Sequence, residues 1–128
     1  MYMWTEALSA PTPSKKQITL VFTAADKADG ADAIISTLKK HGIKGGFFFT
    51  GEFYELYPDV VKRLLDEGHF VGSHSYGHLL YMPWEDRDSL LVTREEFEND
   101  MMKSYEDPPQ GKYRIQRRSR LYSSLRIL

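Results

Sequence analysis

A pair of histidines four residues apart is the strongest chemical signal in the sequence. His74 and His78 lie in the segment 73–78, which reads S-H-S-Y-G-H. A helical turn or an extended segment would leave both imidazoles on one side, close enough to share an ion. The chain has no Cys, so a metal would be held by His, Asp or Glu. The pair indicates a divalent metal site. The alternative is that His74 bonds within a turn and His78 packs beside its neighbours.

Further polar side chains follow each of three predicted strands. Reactive groups of parallel α/β folds collect at the carboxyl ends of the strands, because loops from several strands converge there. We therefore expect two histidines and at least one carboxylate to face one rim, which is the ligand set of zinc or a similar ion. The candidates are Thr23, Asp26 and Asp29 after the first strand, Thr50, Glu52 and Tyr54 after the second, and His74, Tyr76 and His78 after the third.

The elements that must position these residues alternate between strand and helix. Ile18–Phe22 predicts a strand buried on both faces, and the run of three Phe after Gly46 predicts a second buried strand. Helical spacing and a terminal glycine or proline mark the helices. The sequence therefore predicts an α/β fold with a parallel sheet. Its predicted elements are strands at 18–22, 43–50 and 70–72, helices over 33–42 and 58–68, and a helical turn at 52–57. A last helix is predicted from Arg94, with a capping box at Thr93–Glu96. We expect Phe97 and Met101 to form the inner face of this last helix.

Length and composition indicate one domain. The 128 residues are 41% hydrophobic and 27% charged, values that exclude disordered, collagen-like and disulfide-scaffold classes. We expect a lead-in at residues 1–16, a domain at 17–107 and a basic tail without clear structure at 108–128. His41 and His69 are explained by helix-dipole and turn chemistry and receive no site role.

The charge pattern and the apolar runs limit the partners. All 18 Asp and Glu lie in residues 1–107, whereas the tail holds six basic residues and no acid. Scattered Arg without a period predicts no specific nucleic-acid partner. No run approaches the roughly 20 apolar residues of a membrane span. The N-terminus shows no signal peptide, and we expect an extracytoplasmic location if an upstream segment supplies one.

Taken together, the motifs resemble the polysaccharide deacetylase family, also called carbohydrate esterase family four or nodulation-protein-B-like. The resemblance covers about residues 17–105. Segment 18–22 resembles the strand before the family's T-F-D-D-G motif, segments 38–51 and 57–69 resemble the next helices and strand, and 72–78 falls on its H-[ST]-x-x-H motif. The resemblance implies a distorted (β/α) barrel, of which this chain would hold the parallel βα units of the first part.

In that family the motif histidines and the second aspartate of T-F-D-D-G hold a divalent metal, often zinc. The resemblance therefore implies His74 and His78 as ligands, a carbohydrate substrate and hydrolysis of N- or O-acetyl groups. Here the two aspartates are replaced by Thr23 and Ala24. We expect Asp29 to replace the third ligand and Asp26 to replace the catalytic base. The alternative is that both are loop or helix-cap residues.

The later motifs of the family have no counterpart after residue 105. The sequence therefore predicts a truncated deacetylase whose own activity is doubtful. The alternative is a non-catalytic carbohydrate-binding module or pseudo-enzyme, with Tyr81 and Trp84 as walls of the substrate site. A partial barrel also predicts self-association through an uncovered sheet edge.

Overall fold

A computed structural model of the protein describes residues 18–106. The predicted lead-in at 1–16 and basic tail at 108–128 lie outside the described residues. Within them, the chain alternates between strands and helices, and the strands form one parallel sheet in the order β1-β2-β3. The predicted α/β class is confirmed. The elements are β1 (Val21–Ala24), α1 (Ala31–Lys40), β2 (Gly46–Phe49), α2 (Gly51–Leu56), α3 (Pro58–Asp66), β3 (Phe70–Ser73) and α4 (Arg94–Glu106).

The first strand differs from its prediction in position and in burial. It occupies Val21–Ala24 rather than Ile18–Phe22. Val21 is 54% exposed and Ile18 is 90% exposed, so the expectation of burial on both faces is wrong. The physical reason is that β1 is a sheet edge, and its only strand neighbour among residues 18–106 is β2. Apolar character alone does not bury a strand when no layer covers it.

The core lies where β2 meets the helices that follow it. Phe47 and Phe49 are buried, as predicted, and the Phe49 ring stacks on Phe53 of α2 with centroids 4.0 Å apart. Val61 and Leu64 of α3 are fully buried in the same cluster. These contacts fix α2 and α3 against the sheet, because buried apolar area is the main source of stability.

The ends of the helices follow the capping signals. After α1, Gly42 adopts a left-handed φ of 65°, and Pro58 is the first residue of α3. At α4, the Glu96 carboxylate accepts the Thr93 N–H at 2.7 Å, and the Glu96 N–H donates to Thr93 Oγ1 at 3.2 Å. The predicted capping box is confirmed.

The inner face of α4 is more polar than predicted. Phe97 is 41% exposed and meets the Tyr81 ring edge-on at 5.2 Å, whereas Ser104 is buried. Ser73 Oγ, at the end of β3, donates to Ser104 Oγ at 2.6 Å. The prediction that apolar residues form this face is therefore wrong at Phe97, because the helix lies against polar backbone at the end of the sheet. No helix within residues 18–106 is long and apolar enough to cross a bilayer.

Candidate functional site

The carboxyl edge of the sheet brings the three strand ends side by side. The register pairs Ala24 with Phe49 and Phe49 with Ser73. Beyond the strands, the Thr50 N–H donates to Ala24 O at 3.2 Å and the His74 N–H donates to Phe49 O at 2.9 Å. The predicted rim therefore exists, with Ala24 and His74 on its two outer strands.

The two predicted histidines come together at this rim. The ring centroids of His74 and His78 are 5.1 Å apart with an interplanar angle of 44°. Burial, and secondarily the nearby His78, lowers the pKa of His74 below its usual 6.5. The lowered pKa favours the neutral imidazole, which offers one N–H donor and one nitrogen acceptor. In that form His74 is able to hydrogen-bond a sugar hydroxyl or an acetamido group.

Next to His78 lies a cleft of about 160 Å³. Tyr76 is one of its lining residues, and the Tyr76 hydroxyl donates to Glu55 Oε1 at 2.6 Å. The sequence analysis did not single out Glu55, whose position one helical turn after Gly51 was its only signal. The lining residues are Ala25, Thr50, Glu52, Glu55, Tyr76, Gly77 and His78.

Two rim candidates serve the fold instead. Thr50 caps α2: its Oγ1 accepts the Phe53 N–H at 3.3 Å and donates to Ala25 O at 2.7 Å. Tyr54 is buried in the core, and its hydroxyl donates to Gly72 O at 2.7 Å. The structure thus removes Tyr54 from the rim, because α2 begins directly at Gly51 and turns the Tyr54 side chain inward.

The predicted carboxylates do not join the histidines. Asp26 and Asp29 are both exposed, and the Asp26 carbonyl oxygen accepts the Tyr57 hydroxyl at 3.2 Å. In the described part of the chain, no three His, Asp or Glu side chains are placed to hold one metal ion. The residue that the register brings to this edge is Ala24, whose side chain ends at Cβ. The roles of Asp29 as ligand and Asp26 as base stay predictions.

The donor set therefore does not fit a metal bound by three protein ligands. Two imidazoles are present, and the described residues supply no carboxylate to complete them. We assign no reaction step to a metal.

His69 is a core residue rather than a turn residue. It is buried, its Nδ1 accepts the Gly45 N–H at 3.2 Å, and its ring meets Phe47 edge-on at 5.2 Å. Burial is the main cause that lowers its pKa, and Lys44 contributes in the same direction. No partner for its Nε2 lies among the described residues. The attribution of His69 to turn chemistry is thus corrected.

Asp100 of α4 is the second residue that the sequence analysis missed. Its carboxylate accepts the Tyr76 N–H at 3.1 Å and the Gly77 N–H at 2.6 Å. On the same helix, Lys103 Nζ lies 3.9 Å from the centroid of the Tyr76 ring. The spacing of polar residues in α4 indicated a polar inner face, since Asp100 and the buried Ser104 are four residues apart and share one helix face. The sequence analysis searched that helix for apolar residues only.

Comparisons with known proteins agree with this architecture. A family model described as polysaccharide deacetylase matches residues 10–114. A peptidoglycan-N-acetylglucosamine deacetylase of Bacillus cereus is 31% identical over 109 residues, which are 82% of this chain and 36% of that protein. A solved pseudoenzyme of carbohydrate esterase family four from Bacillus anthracis has a TM-score of 0.61 at 26% identity, over 73% of this chain and 31% of that one. A mutant of that pseudoenzyme with restored enzymatic activity has a TM-score of 0.52 at 26% identity, over 68% and 30%. The chain thus spans less than two fifths of each relative.

Proposed function

Because this chain belongs to the polysaccharide deacetylase family, we propose that it takes part in removing acetyl groups from an N-acetylated glycan of the peptidoglycan type. Its parallel βα units are part of the (β/α) barrel of that family, as predicted. The observation that carries the proposal is the pair His74 and His78 beside a polar cleft at the carboxyl edge of the sheet. The choice of glycan follows from the substrate named for the Bacillus cereus relative.

In this proposal the described residues supply one wall of the site. His74 is half-buried and its lowered pKa favours the neutral imidazole, which is suited to hold an acetamido N–H or carbonyl group. Glu55 and Tyr76 are already bonded to each other, which orients the Tyr76 ring beside the place where a sugar would lie. Trp84, 74% exposed, and Tyr81 remain predicted walls of the substrate site.

We propose zinc as the ion that the imidazole pair would bind, with two of the three usual protein ligands supplied by the described residues. The supporting observation is the imidazole pair, since neutral imidazole is a preferred zinc ligand. Calorimetric titration of zinc into the full chain tests this, with His74→Ala and His78→Ala as variants and His41→Ala as the control. His41 is an exposed histidine at the end of α1. Equal zinc affinity in all four proteins would remove the metal assignment.

Acetate release from an acetylated chitooligosaccharide tests the function. We expect release to require both His74 and His78 and to be unchanged in His41→Ala. Binding of the same oligosaccharide is measured in parallel, because binding without release is the result expected from the second candidate. Absence of both binding and release in the wild type would refute the proposal.

The second candidate is a glycan-binding protein that does not hydrolyse its ligand. Ala24 favours it, because this residue occupies the strand end where the family pattern has the ligand aspartate. The likeness to a pseudoenzyme of the same family supports it as well. The variant Ala24→Asp separates the two candidates. If the chain is a binder, we expect Ala24→Asp to bind glycan as before and to gain acetate release when zinc is added.

Self-association belongs to the same proposal. Val21 of β1 is exposed, and within residues 18–106 the outer edge of β1 pairs with no other strand, so its backbone groups are available to a second chain. Sedimentation velocity over a range of concentrations measures it, and Val21→Lys should shift the protein toward monomer. A wild type that stays monomeric at every concentration would contradict it.

We also propose an extracytoplasmic location. The support is the substrate named for the Bacillus cereus relative, since peptidoglycan is a cell-wall polymer. Fractionation of the source cells with an antibody against this chain measures the location. Recovery in the cytoplasmic fraction alone would refute it.

A further inference from the structure

The loop that carries the two histidines has an unusual backbone. Ser75 has a φ of 62° and His78 has a φ of 51°. Both values lie in the left-handed region, which residues other than glycine rarely adopt. Such conformations persist only when the surrounding structure holds them in place. The contacts that hold this loop therefore decide where the two imidazole rings lie.

Asp100 makes the most direct of these contacts. Its two carboxylate oxygens accept the N–H groups of Tyr76 and Gly77, the residues between Ser75 and His78. Hydrogen bonds to an ionised carboxylate are roughly twice as strong as neutral ones. The packing is close, since a Cβ added at Gly77 would lie 3.0 Å from Asp100 Oδ1.

Other contacts fix either Asp100 or the opposite side of the loop. One turn further along α4, Ser104 is bonded to Ser73 at the end of β3, which anchors the helix to the sheet. On the opposite side, the Gly51 N–H donates to Tyr76 O at 2.9 Å. Inside the loop, Ser75 Oγ accepts the His78 N–H at 3.1 Å. Asp100 is thus a charged side chain that binds the backbone of this loop at two successive residues.

We propose that Asp100 is the positioning residue of the histidine pair. It acts by holding the backbone between the two rings. The consequence for glycan binding rests on the proposed function, whereas the consequence for ring geometry does not.

The experiment compares Asp100→Asn and Asp100→Glu with the wild type in the full chain. Asn keeps the shape but turns one acceptor into a donor, and Glu keeps both acceptors. The control is Glu98→Gln, which removes an exposed carboxylate from the same helix. Three quantities are measured: magnetic cross-relaxation between the ring protons of His74 and His78, the urea midpoint, and the affinity for acetylated chitooligosaccharide.

We expect Asp100→Asn to lose the cross-relaxation between the rings and to weaken glycan binding by about tenfold, the size of one charge-assisted hydrogen bond. Asp100→Glu should retain part of the cross-relaxation and part of the glycan affinity. Glu98→Gln should change neither the cross-relaxation nor the glycan affinity. A purely structural role would lower the urea midpoint and leave the ring signal intact in the folded fraction. Unchanged cross-relaxation in folded Asp100→Asn would overturn the proposal.

Gly77→Ala provides a second route if Asp100→Asn does not fold. Its new Cβ would lie 3.0 Å from Asp100 Oδ1 and shift the carboxylate by a few tenths of an ångström without removing it, and we expect weaker cross-relaxation between the rings. An unchanged ring signal in Gly77→Ala would likewise overturn the proposal. If the wild type binds no glycan, the proposed function fails, while the ring signal still tests Asp100.

Discussion

Gly51, the first residue of α2, is the position where one added methyl group tests the packing behind the site. A Cβ built there would lie 2.4 Å from Tyr76 Cδ2, 2.5 Å from Cε2 and 2.7 Å from Cγ. The Tyr76 ring cannot simply move away, because its hydroxyl is bonded to Glu55 and its carbonyl accepts the Gly51 N–H. Gly51→Ala must therefore break one of these contacts or shift the start of α2.

The expected magnitude follows from two opposing effects. Overpacking a well-packed site costs about 1–3 kcal/mol, and a clash with three ring atoms belongs in the upper half of that range. Alanine regains about 0.5–1 kcal/mol relative to glycine in a helix. We therefore expect Gly51→Ala to lower the free energy of unfolding by about 1–2.5 kcal/mol.

Urea denaturation followed by circular dichroism measures this change. The matched control is Gly30→Ala, whose new Cβ would meet only Ile34 Cδ1 at an ordinary 3.7 Å, and we expect it to be neutral within about 0.5 kcal/mol. Because Tyr76 lines the cleft, Gly51→Ala should also weaken glycan binding. Equal stability of the two variants would refute the reasoning about the Tyr76 contact.

Three further predictions concern the rest of the fold. Burial lowers the pKa of His69, so the unfolded chain takes up its proton first, and the free energy of unfolding should fall as the pH drops below about 6.5. Urea titrations at several pH values measure this, and His69→Gln should lose that part of the pH dependence. Thr93→Ala removes the capping box of α4 and should cost about 1 kcal/mol in the same assay, and a cost equal to that of Ser36→Ala, at an exposed site in α1, would contradict the cap. Leu64→Ala, at a fully buried position, should cost about 2–5 kcal/mol, and a loss below about 1 kcal/mol would mean that α3 is not packed as described.

Sequence patterns were sufficient for the elements whose signals are local. The Pro58 start of α3, the Gly42 end of α1 and the capping box at Thr93 each depend on residues within one turn, and all three are observed. In the Phe run of β2, Phe47 and Phe49 are buried and Phe48 is partly buried, because apolar side chains pack wherever the fold offers a core. Local propensity and hydrophobicity decided these features.

Residues set by distant contacts were predicted less well. His69 looked like a turn residue, since its partner Gly45 lies 24 positions away. Tyr54 looked like a rim residue until α2 turned it toward Gly72. Val21 looked buried, but the layer that would cover it is not supplied by residues 18–106.

The sequence by itself determined the order of strands and helices, the approach of His74 to His78 and the membership of a deacetylase family, because each depends on short spacings and recognisable motifs. Only the tertiary structure decided which groups complete the site. It placed the Asp100 carboxylate under the histidine loop and left Asp26 and Asp29 outside any three-ligand group. The physical reason is that a hydrogen bond or a coordination shell requires atoms within about 3 Å of one another, and separation along the chain does not reveal which atoms the fold brings that close.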